Sequence, residues 1–330
     1  MKAILARKYG SPDVLTLEEI EQPTPESAQV LIKVHAASTN PSYWHRMEGK
    51  IPMLRQAYGD PEPTDPAMGG DCAGIVTSVG PDVTRFAVGD AVFGGAKGAF
   101  AEYTIAGEKN LVHKPENISF EDAAAIPTGG LTALQGLRDY GHITSGQHVL
   151  VIGASGGVGI YAVQIAKSFE TQVTAVCSTR NIDMVKGIGA DKVIDYTQQD
   201  WDGTGPYDLI LDMVGERPFD VYVKNLTSEG RMVSVGALGM DTVAFMAKMG
   251  GYKASEEEER VFNFMAQFKM DDLTALAQLM ESGAVKSVID RTFPLEETAV
   301  AMTMQGSKRI SGKVVVINDS KEQKNHGRSQ

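Results

Sequence analysis

The first 120 residues consist of short apolar runs separated by turns that are rich in proline and glycine. Three such runs cover residues 30–35, 74–80 and 89–94. Short runs of β-branched and aliphatic residues that are bounded by turn residues are typical of strands. The pattern therefore predicts a small, mostly antiparallel β barrel or sandwich for this part of the chain.

From about residue 122 to 264, predicted strands alternate with predicted helices. Ser119 is a favoured N-cap residue, and Glu121 and Asp122 follow it in the first turn, so we expect a helix to begin here. Further apolar runs predict strands over 147–152, 172–177, 192–195, 208–213 and 231–235, with helices over 157–169 and 181–188. Alternation of this kind is typical of a parallel, doubly wound sheet.

The C-terminal part of the chain contains one more helix and one more strand. An amphipathic helix is predicted over 271–282, with Leu273, Leu276 and Leu279 on one face. The apolar run over 312–317 predicts the last strand. The polar tail from about residue 320 to 330 is expected to be disordered.

A glycine-rich turn over residues 153–159 lies between the predicted strand 147–152 and a predicted helix. The order of strand, tight turn and helix is the context of a dinucleotide-binding loop. Glycines allow the backbone to approach a pyrophosphate, whose charge is stabilised by N–H groups at the positive end of the helix. The spacing is Ala154-x-Gly156-x-x-Gly159, with alanine where the common motif has its first glycine.

The end of the strand 172–177 indicates which dinucleotide binds. An acidic residue at this strand tip would bond the ribose 2′-hydroxyl of NAD and repel a 2′-phosphate. The chain has Ser178, Thr179 and Arg180 here instead, and these groups suit a dianionic phosphate. NADPH is therefore the predicted cofactor, although Arg180 can also be read as an exposed residue at a helix start. Tyr196, at the end of the next strand, either borders the adenosine or covers the sheet.

Composition and charge narrow the class of protein further. The 330 residues are enough for two domains, and the net charge of −11 argues against nucleic acid or an anionic membrane as a partner. The sequence has no apolar stretch long enough to span a bilayer, and residues 1–8 resemble a first strand rather than a signal peptide. Cys72 and Cys177 lie far apart in apolar surroundings, which favours a reducing compartment. We therefore expect a cytoplasmic location.

Eight separated segments of the chain resemble those of the medium-chain dehydrogenases/reductases and occur in the same order. They cover residues 36–41, 70–76, 88–92, 98–103, 125–133, 153–159, 189–196 and 312–316. The resemblance extends to about residue 318 and is to the zinc-independent, quinone oxidoreductase-like branch of that superfamily. It implies a GroES-like, mostly-β catalytic domain over 1–121, a Rossmann NADPH-binding domain over 122–264, and a C-terminal segment over 265–330 that returns to the catalytic domain. It also implies a homodimer.

The resemblance further implies which residues meet the cofactor. Asn40 and Thr128 are expected near the nicotinamide. Val235 and Gly236 are expected to line the nicotinamide pocket. The pyrophosphate is expected to be bound by Ser155, Gly156, Gly157 and Val158. The adenosine phosphate is expected to be bound by Ser178, Arg180 and Tyr196. Lys313 is a further candidate for cofactor binding, although a lysine beside a terminal strand is more often simply solvated.

The chain lacks the zinc ligands of the metal-dependent members of this superfamily. Those members use a cysteine, a Gly-His-Glu segment and a second cysteine for catalytic zinc. This chain has Asn40 to Tyr43 where the first ligand would lie and Gly70-Asp71 where the His-Glu pair would lie. Two cysteines cannot form a four-cysteine site, and His45 and Asp71 are too few to complete a coordination set. No metal site is predicted.

Because these ligands are missing, the metal route of alcohol oxidation is disfavoured. A reduced nicotinamide can still transfer hydride to an electron-poor acceptor such as a quinone or the β-carbon of an enone. The predicted function is therefore NADPH-dependent reduction of a small, hydrophobic, electron-poor quinone or enone. Asn40 is the candidate for orienting the substrate or the carboxamide. Tyr43 is the candidate for protonating an enolate, although packing beside Trp44 is an alternative role.

Two other functions stay open. An enoyl-thioester reductase would need basic residues for a coenzyme A or phosphopantetheine tail, and a regulatory protein would bind NADPH with little turnover. The segment over 245–270 is rich in methionine and phenylalanine. It either packs in the core or a subunit interface, or it forms an apolar wall for a flat substrate.

Overall fold

The structure, a computed structural model, describes residues 1–235 and 260–318 of the chain. The polypeptide divides into two units. The first contains Met1–Thr128, Phe268–Glu281 and the residues from Ser287 onward, and the second contains Gly129–Gln267 and Ser282–Lys286. The tail that was predicted to be disordered and most of the methionine- and phenylalanine-rich segment, including Phe245, Met246 and Met249, lie outside the described residues.

The described chain forms fifteen strands and nine α-helices. The strands are β1 (Lys2–Ala6), β2 (Leu15–Glu19), β3 (Gln29–Ser38), β4 (Asp71–Val79), β5 (Ala91–Gly95), β6 (Tyr103–Gly107), β7 (Leu111–His113), β8 (His148–Ile152), β9 (Gln172–Cys177), β10 (Lys192–Asp195), β11 (Tyr207–Asp212), β12 (Leu226–Val235), β13 (Val261–Phe264), β14 (Ile289–Pro294) and β15 (Lys313–Ile317). The α-helices are α1 (Pro41–Glu48), α2 (Pro52–Tyr58), α3 (Phe120–Ala125), α4 (Pro127–Gln135), α5 (Gly159–Ser168), α6 (Ile182–Gly187), α7 (Phe219–Lys224), α8 (Met270–Glu281) and α9 (Thr298–Gly306). None of the described helices is long and apolar enough to cross a membrane.

The first unit is built around a seven-stranded sheet. Its order is β14-β15-β3-β4-β5-β7, with β6 paired to β3, and β1 and β2 form a separate antiparallel pair. Every pairing in the large sheet is antiparallel except that of β14 with β15. The predicted mostly antiparallel, GroES-like architecture is confirmed. The C-terminal strand β15 lies directly beside β3, so the end of the chain completes the sheet that its beginning forms.

Helix α3 packs on this sheet through a run of small residues. Ala123, Ala124 and Ala125 are fully buried, because alanine allows the helix backbone to approach the strands closely. The Ser119 Oγ accepts a hydrogen bond from the Asp122 N–H at 3.0 Å, which satisfies an N–H group that would lack a partner at the helix start. The predicted N-cap at Ser119 is confirmed.

The second unit contains a parallel sheet with the order β10-β9-β8-β11-β12-β13. This is the strand order of a Rossmann fold, in which the first strand lies at the centre. Val149, Leu150 and Val151 of β8 are fully buried, as expected for a central strand that is covered on both faces. The predicted strands and the doubly wound parallel sheet are confirmed. Strand β12 begins at Leu226, five residues before the predicted start.

The glycine-rich turn connects β8 to α5 and uses its glycines for two different reasons. Gly153 has a φ of +82°, a left-handed conformation that L side chains rarely adopt. Gly159 begins α5, and a Cβ atom at this residue would lie 2.3 Å from the Gly153 carbonyl oxygen and 2.6 Å from the Ala154 Cα. The third glycine of the motif is therefore required for close packing of the helix start on the turn.

We expect Gly159→Ala to lower the free energy of unfolding by about 2–3 kcal/mol, because its Cβ would meet backbone atoms that cannot rotate away. Gly187→Ala is the matched control, since it also lies in a helix and nothing is within 4 Å of a Cβ there. It should stabilise the protein by up to about 1 kcal/mol through lower backbone entropy of the unfolded chain. Urea unfolding of both variants measures the difference. Equal midpoints for the two would contradict this explanation.

Candidate active site

A buried carboxylate gathers several of the predicted site residues in the first unit. Asp71 begins β4 and is fully buried. Its Oδ2 accepts hydrogen bonds from Asn40 Nδ2 at 2.9 Å and from the Thr128 N–H at 3.0 Å. Its Oδ1 accepts from the Thr128 hydroxyl at 2.7 Å and from the Tyr43 hydroxyl at 3.3 Å. Asn40, Tyr43 and Thr128 thus meet at one carboxylate.

A buried lysine completes this group. Lys313, at the start of β15, is 2% exposed, and its ammonium donates to Asn40 Oδ1 at 2.5 Å and to the Thr39 carbonyl at 3.1 Å. Burial lowers the pKa of Lys313 to about 8, against the opposing effect of the Asp71 charge. The Asn40 amide is therefore fixed from both sides, with its oxygen toward a cation and its nitrogen toward a carboxylate. The alternative of a solvated Lys313 is excluded, and cofactor binding by Lys313 stays a prediction.

The environment of Tyr43 favours its protonated form. Burial, and then the charge of Asp71, raise the pKa of Tyr43 well above its usual value. Its hydroxyl donates to Asp71 Oδ1 and accepts from the Asp71 N–H at 2.9 Å, so both its donor and one of its lone pairs are used. The ring also stands edge-on to Phe100. The hydroxyl of Tyr43 is therefore a fixed hydrogen-bonding group.

The residues at this position do not fit a zinc ion. The Asp71 carboxylate already accepts four hydrogen bonds from the protein, and the network includes the Lys313 ammonium, a cation, through Asn40. Cys72, the neighbour of Asp71, is fully buried, and burial raises the pKa of its thiol to about 12, which opposes formation of a thiolate ligand. Over residues 1–235 and 260–318, no three potential metal ligands of the His, Cys, Asp or Glu type are clustered.

The second unit carries the predicted phosphate loop at the end of β8. The Gly156 N–H donates to the Gly153 carbonyl at 3.0 Å, and the Ile160 N–H donates to the Gly156 carbonyl at 3.1 Å. Within the described residues, the N–H groups of Ser155, Gly157 and Val158 have no hydrogen-bond acceptor. Unpaired N–H groups at a helix start form a site for an anion. The loop therefore has the donors that a pyrophosphate requires.

The residues that are predicted to bind the adenosine phosphate follow β9 and β10, which are neighbours in the sheet. Ser178 is half-buried directly after β9, and Arg180 is exposed two residues later. Tyr196 follows β10 and is 61% exposed, so it does not cover the sheet. Its N–H donates to the Cys177 carbonyl at 3.1 Å, which holds it beside the end of β9. The three residues lie at the same edge of the sheet as the phosphate loop, because the carboxyl ends of parallel strands share an edge.

A carboxylate that the sequence analysis did not consider also lies at this edge. Asp195 is the last residue of β10 and pairs with Cys177 of β9. The Thr179 hydroxyl donates to Asp195 Oδ2 at 2.5 Å, and Thr197 donates to Oδ1 through its hydroxyl at 2.8 Å and its N–H at 3.0 Å. The hydrogen bond from Thr179 is the main cause that lowers the pKa of Asp195. The Asp195 charge is thus bound by neighbouring donors.

Of the two residues predicted to line the nicotinamide pocket, the structure describes one. Val235 ends β12 and is buried, whereas Gly236 lies outside the described residues. Sequence reasoning noted Asp71 only as an occupant of a lost ligand position and did not foresee its partners. Its signal was an acid at the start of an apolar strand, which is unusual because buried carboxylates need donors.

Two family models match the chain. The model described as alcohol dehydrogenase GroES-like domain matches residues 26–116, and the one described as zinc-binding dehydrogenase matches residues 188–316. The quinone-oxidoreductase QR1 of Triphysaria versicolor, a chloroplastic protein, is 35% identical over 96% of this chain and 98% of its own. The chloroplastic NADPH-dependent alkenal/one oxidoreductase of Arabidopsis thaliana is 35% identical over 96% of this chain and 79% of its own.

A solved structure agrees with these relatives. The quinone oxidoreductase from Coxiella burnetii superposes with a TM-score of 0.84 and 32% identity, over 97% of this chain and 99% of the other. The chain therefore belongs to the medium-chain dehydrogenase/reductase superfamily, in its quinone oxidoreductase-like branch.

The expected cytoplasmic location is wrong on this comparison. Both plant relatives are chloroplastic by name, which points to a plastid rather than the cytoplasm. The expectation rested on two unpaired, buried cysteines, Cys72 and Cys177. Unpaired thiols indicate a reducing compartment and cannot distinguish one reducing compartment from another.

The buried ammonium of Lys313 predicts a pH dependence of stability. Its pKa of about 8 in the folded state lies below the usual 10.5, so between these pH values the unfolded chain binds more protons. The free energy of unfolding of the wild type relative to Lys313→Met should therefore rise, by up to about 3 kcal/mol, as the pH increases from 8 to 10.5. Lys109→Met, at an exposed lysine, is the control and should show no such rise. Urea unfolding across this pH range provides the measurement, and a flat or falling difference would contradict the assignment.

Proposed function

We propose that this protein is an NADPH-dependent oxidoreductase that reduces a quinone or an α,β-unsaturated carbonyl without a metal ion. The observation that carries the proposal is the Asp71 network. By the family resemblance, Asn40 and Asp71 stand at positions where the metal-dependent members carry zinc ligands, and here their polar atoms bond each other, Thr128 and the Lys313 ammonium. The names of the matched relatives, a quinone oxidoreductase and an alkenal/one oxidoreductase, support both acceptor classes.

NADPH is the proposed cofactor because of the groups at the two phosphate positions. Ser155, Gly157 and Val158 offer unpaired N–H groups for the pyrophosphate. Arg180 offers a guanidinium for the 2′-phosphate, and the nearby carboxylate of Asp195 is already bound by threonine donors. The NADPH-dependent plant relative supports this choice.

When bound, the reduced nicotinamide supplies a hydride, which is two electrons and one hydrogen nucleus. A quinone or enone accepts hydride and then one proton, and gives a hydroquinone or a saturated carbonyl compound. In this proposal Asn40 orients the carboxamide or the substrate, since Lys313 and Asp71 fix its amide and leave one Nδ2 proton. The Tyr43 hydroxyl, bonded to Asp71 with a raised pKa, positions this network, and solvent supplies the proton.

The proposal includes a homodimer, a catalytic domain over 1–121 that is joined by 265–330, and a cofactor domain over 122–264. These assignments follow the family resemblance and extend the description of the two units.

Oxidation of NADPH in the presence of a panel of quinones, enones and enoyl-coenzyme A thioesters tests the proposal. Turnover is expected with quinones or enones and not with the thioesters, and NADPH should be used in preference to NADH. Added zinc should not raise the rate. Turnover restricted to thioesters would favour an enoyl-thioester reductase instead. Tight NADPH binding without turnover on any acceptor would favour a regulatory protein.

Arg180→Ala tests the cofactor assignment separately. Removal of the guanidinium should weaken NADPH binding about tenfold or more and leave NADH binding unchanged, since only NADPH carries the 2′-phosphate. Arg217→Ala is the control, because Arg217 is an arginine of the same unit that pairs with Asp200 at the surface. It should leave both dissociation constants unchanged. An equal loss of NADPH and NADH affinity in Arg180→Ala would show that Arg180 does not recognise the 2′-phosphate.

A further inference from the structure

One buried amide connects two of the predicted cofactor-binding segments. Asn181 is 4% exposed, and its Nδ2 donates to Ser155 Oγ at 2.9 Å and to Ser178 Oγ at 3.3 Å. Ser155 belongs to the loop after β8, and Ser178 directly follows β9. The same NH₂ group therefore contacts the hydroxyl expected at the pyrophosphate and the hydroxyl expected at the adenosine phosphate.

The direction of these hydrogen bonds determines what the two serines offer to a ligand. A serine hydroxyl has one donor proton and two lone pairs. Because Asn181 Nδ2 is a donor, each serine oxygen accepts from it, and each hydroxyl proton points elsewhere. A phosphate oxygen can only accept hydrogen bonds, so a serine that already accepts from the protein is set to donate to a phosphate.

The turn that carries Asn181 is held on both sides. The Asn181 N–H donates to the Ser178 carbonyl at 2.9 Å within a short 3₁₀ turn, Thr179–Asn181. The Thr179 hydroxyl binds the Asp195 carboxylate of the neighbouring strand. The backbone that carries the Asn181 side chain is thus held by hydrogen bonds within the protein.

We propose that Asn181 is a positioning residue that orients the hydroxyls of Ser155 and Ser178 toward the phosphate groups of NADPH and couples the two phosphate subsites. The inference rests on the proposed cofactor and assigns Asn181 a role that it performs through the two serines. If Asn181 only supported the fold, its substitution would change the stability of the protein, and the two phosphate subsites would bind their groups independently of each other.

Dissociation constants for ADP-ribose and 2′-phospho-ADP-ribose test the coupling without turnover. ADP-ribose carries the pyrophosphate but no 2′-phosphate. The ratio of the two dissociation constants therefore measures how much the 2′-phosphate adds to the affinity. Asn181→Ala should weaken ADP-ribose about tenfold and reduce the 2′-phosphate advantage about tenfold, as expected when a hydrogen bond to a charged group is weakened. In a Ser155→Ala background it should cause no further loss of ADP-ribose affinity. In a Ser178→Ala background it should cause no further loss of the 2′-phosphate advantage.

Two more variants separate this role from a structural one. Asn181→Asp keeps the side-chain volume, but its ionised carboxylate can only accept hydrogen bonds, so it should weaken the binding of both ligands more than Asn181→Ala does. If the alanine variant does not fold, Asn181→Asp replaces it in the comparisons with Ser155→Ala and Ser178→Ala. Asn225→Ala is the control. Asn225 is 2% exposed, and its Nδ2 donates to Asp202 Oδ1 and to the Val221 carbonyl. It directly precedes β12, so it lies at the edge of the sheet opposite the phosphate loop. It should lower the melting temperature and leave both dissociation constants unchanged.

Additive losses in the two double variants would overturn the proposal, and so would unchanged affinities in Asn181→Ala. A wild type that binds both ligands equally would overturn the NADPH assignment and the Ser178 half of the inference, whereas the cycle with Ser155 would still decide the other half. A protein that reduces no quinone or enone would contradict the proposed reaction alone.

Discussion

The buried carboxylate of Asp71 is the constraint on which the polar centre of the first unit depends. A carboxylate without exposure to water needs hydrogen-bond donors on both oxygens, and Asn40, Tyr43 and Thr128 supply them. It also needs a compensating cation, and the Lys313 ammonium supplies the charge through the Asn40 amide. The network therefore holds α1, β4, β15 and the residue Thr128 of the first unit in one arrangement.

The two units place different demands on their residues. In the first, fixed hydrogen bonds give Asn40 a single orientation. In the second, the turn after β8 needs Gly159 for close packing, and several of its N–H groups have no acceptor among the residues that the structure describes. In the first arrangement both oxygens of the Asp71 carboxylate accept hydrogen bonds from the protein, whereas in the second the N–H groups of Ser155, Gly157 and Val158 have no acceptor within the described residues. The Asp71 network and the turn after β8 are both formed by contacts over short distances. The geometry of these contacts depends on the sheet to which the residues are attached.

Much of the fold was predictable because its signals are local. The apolar runs gave the strands of the parallel sheet nearly to the residue, Ser119 marked the start of α3, and the glycine spacing marked the turn before α5. The partners of buried polar groups were not predictable in this way. Lys313 was predicted as a cofactor-binding candidate, with a solvated lysine as the alternative, and neither prediction included its partner Asn40, which lies 273 residues away in the chain. The Asp195 carboxylate was not predicted at this position because its contact with the end of β9 depends on the pairing of β10 with β9, which no local pattern specifies.

The sequence by itself determined the type and order of the elements, the family, the glycine-rich turn between β8 and α5, and the lack of the family's zinc-ligand residues. These properties depend on residue type and on spacing over short distances. Only the tertiary structure decided that Lys313 is buried, that Asn40 is fixed between opposite charges, and that Asn181 reaches both Ser155 and Ser178. Burial and hydrogen-bond partnership arise from strand order and register, which bring together residues that no local pattern connects.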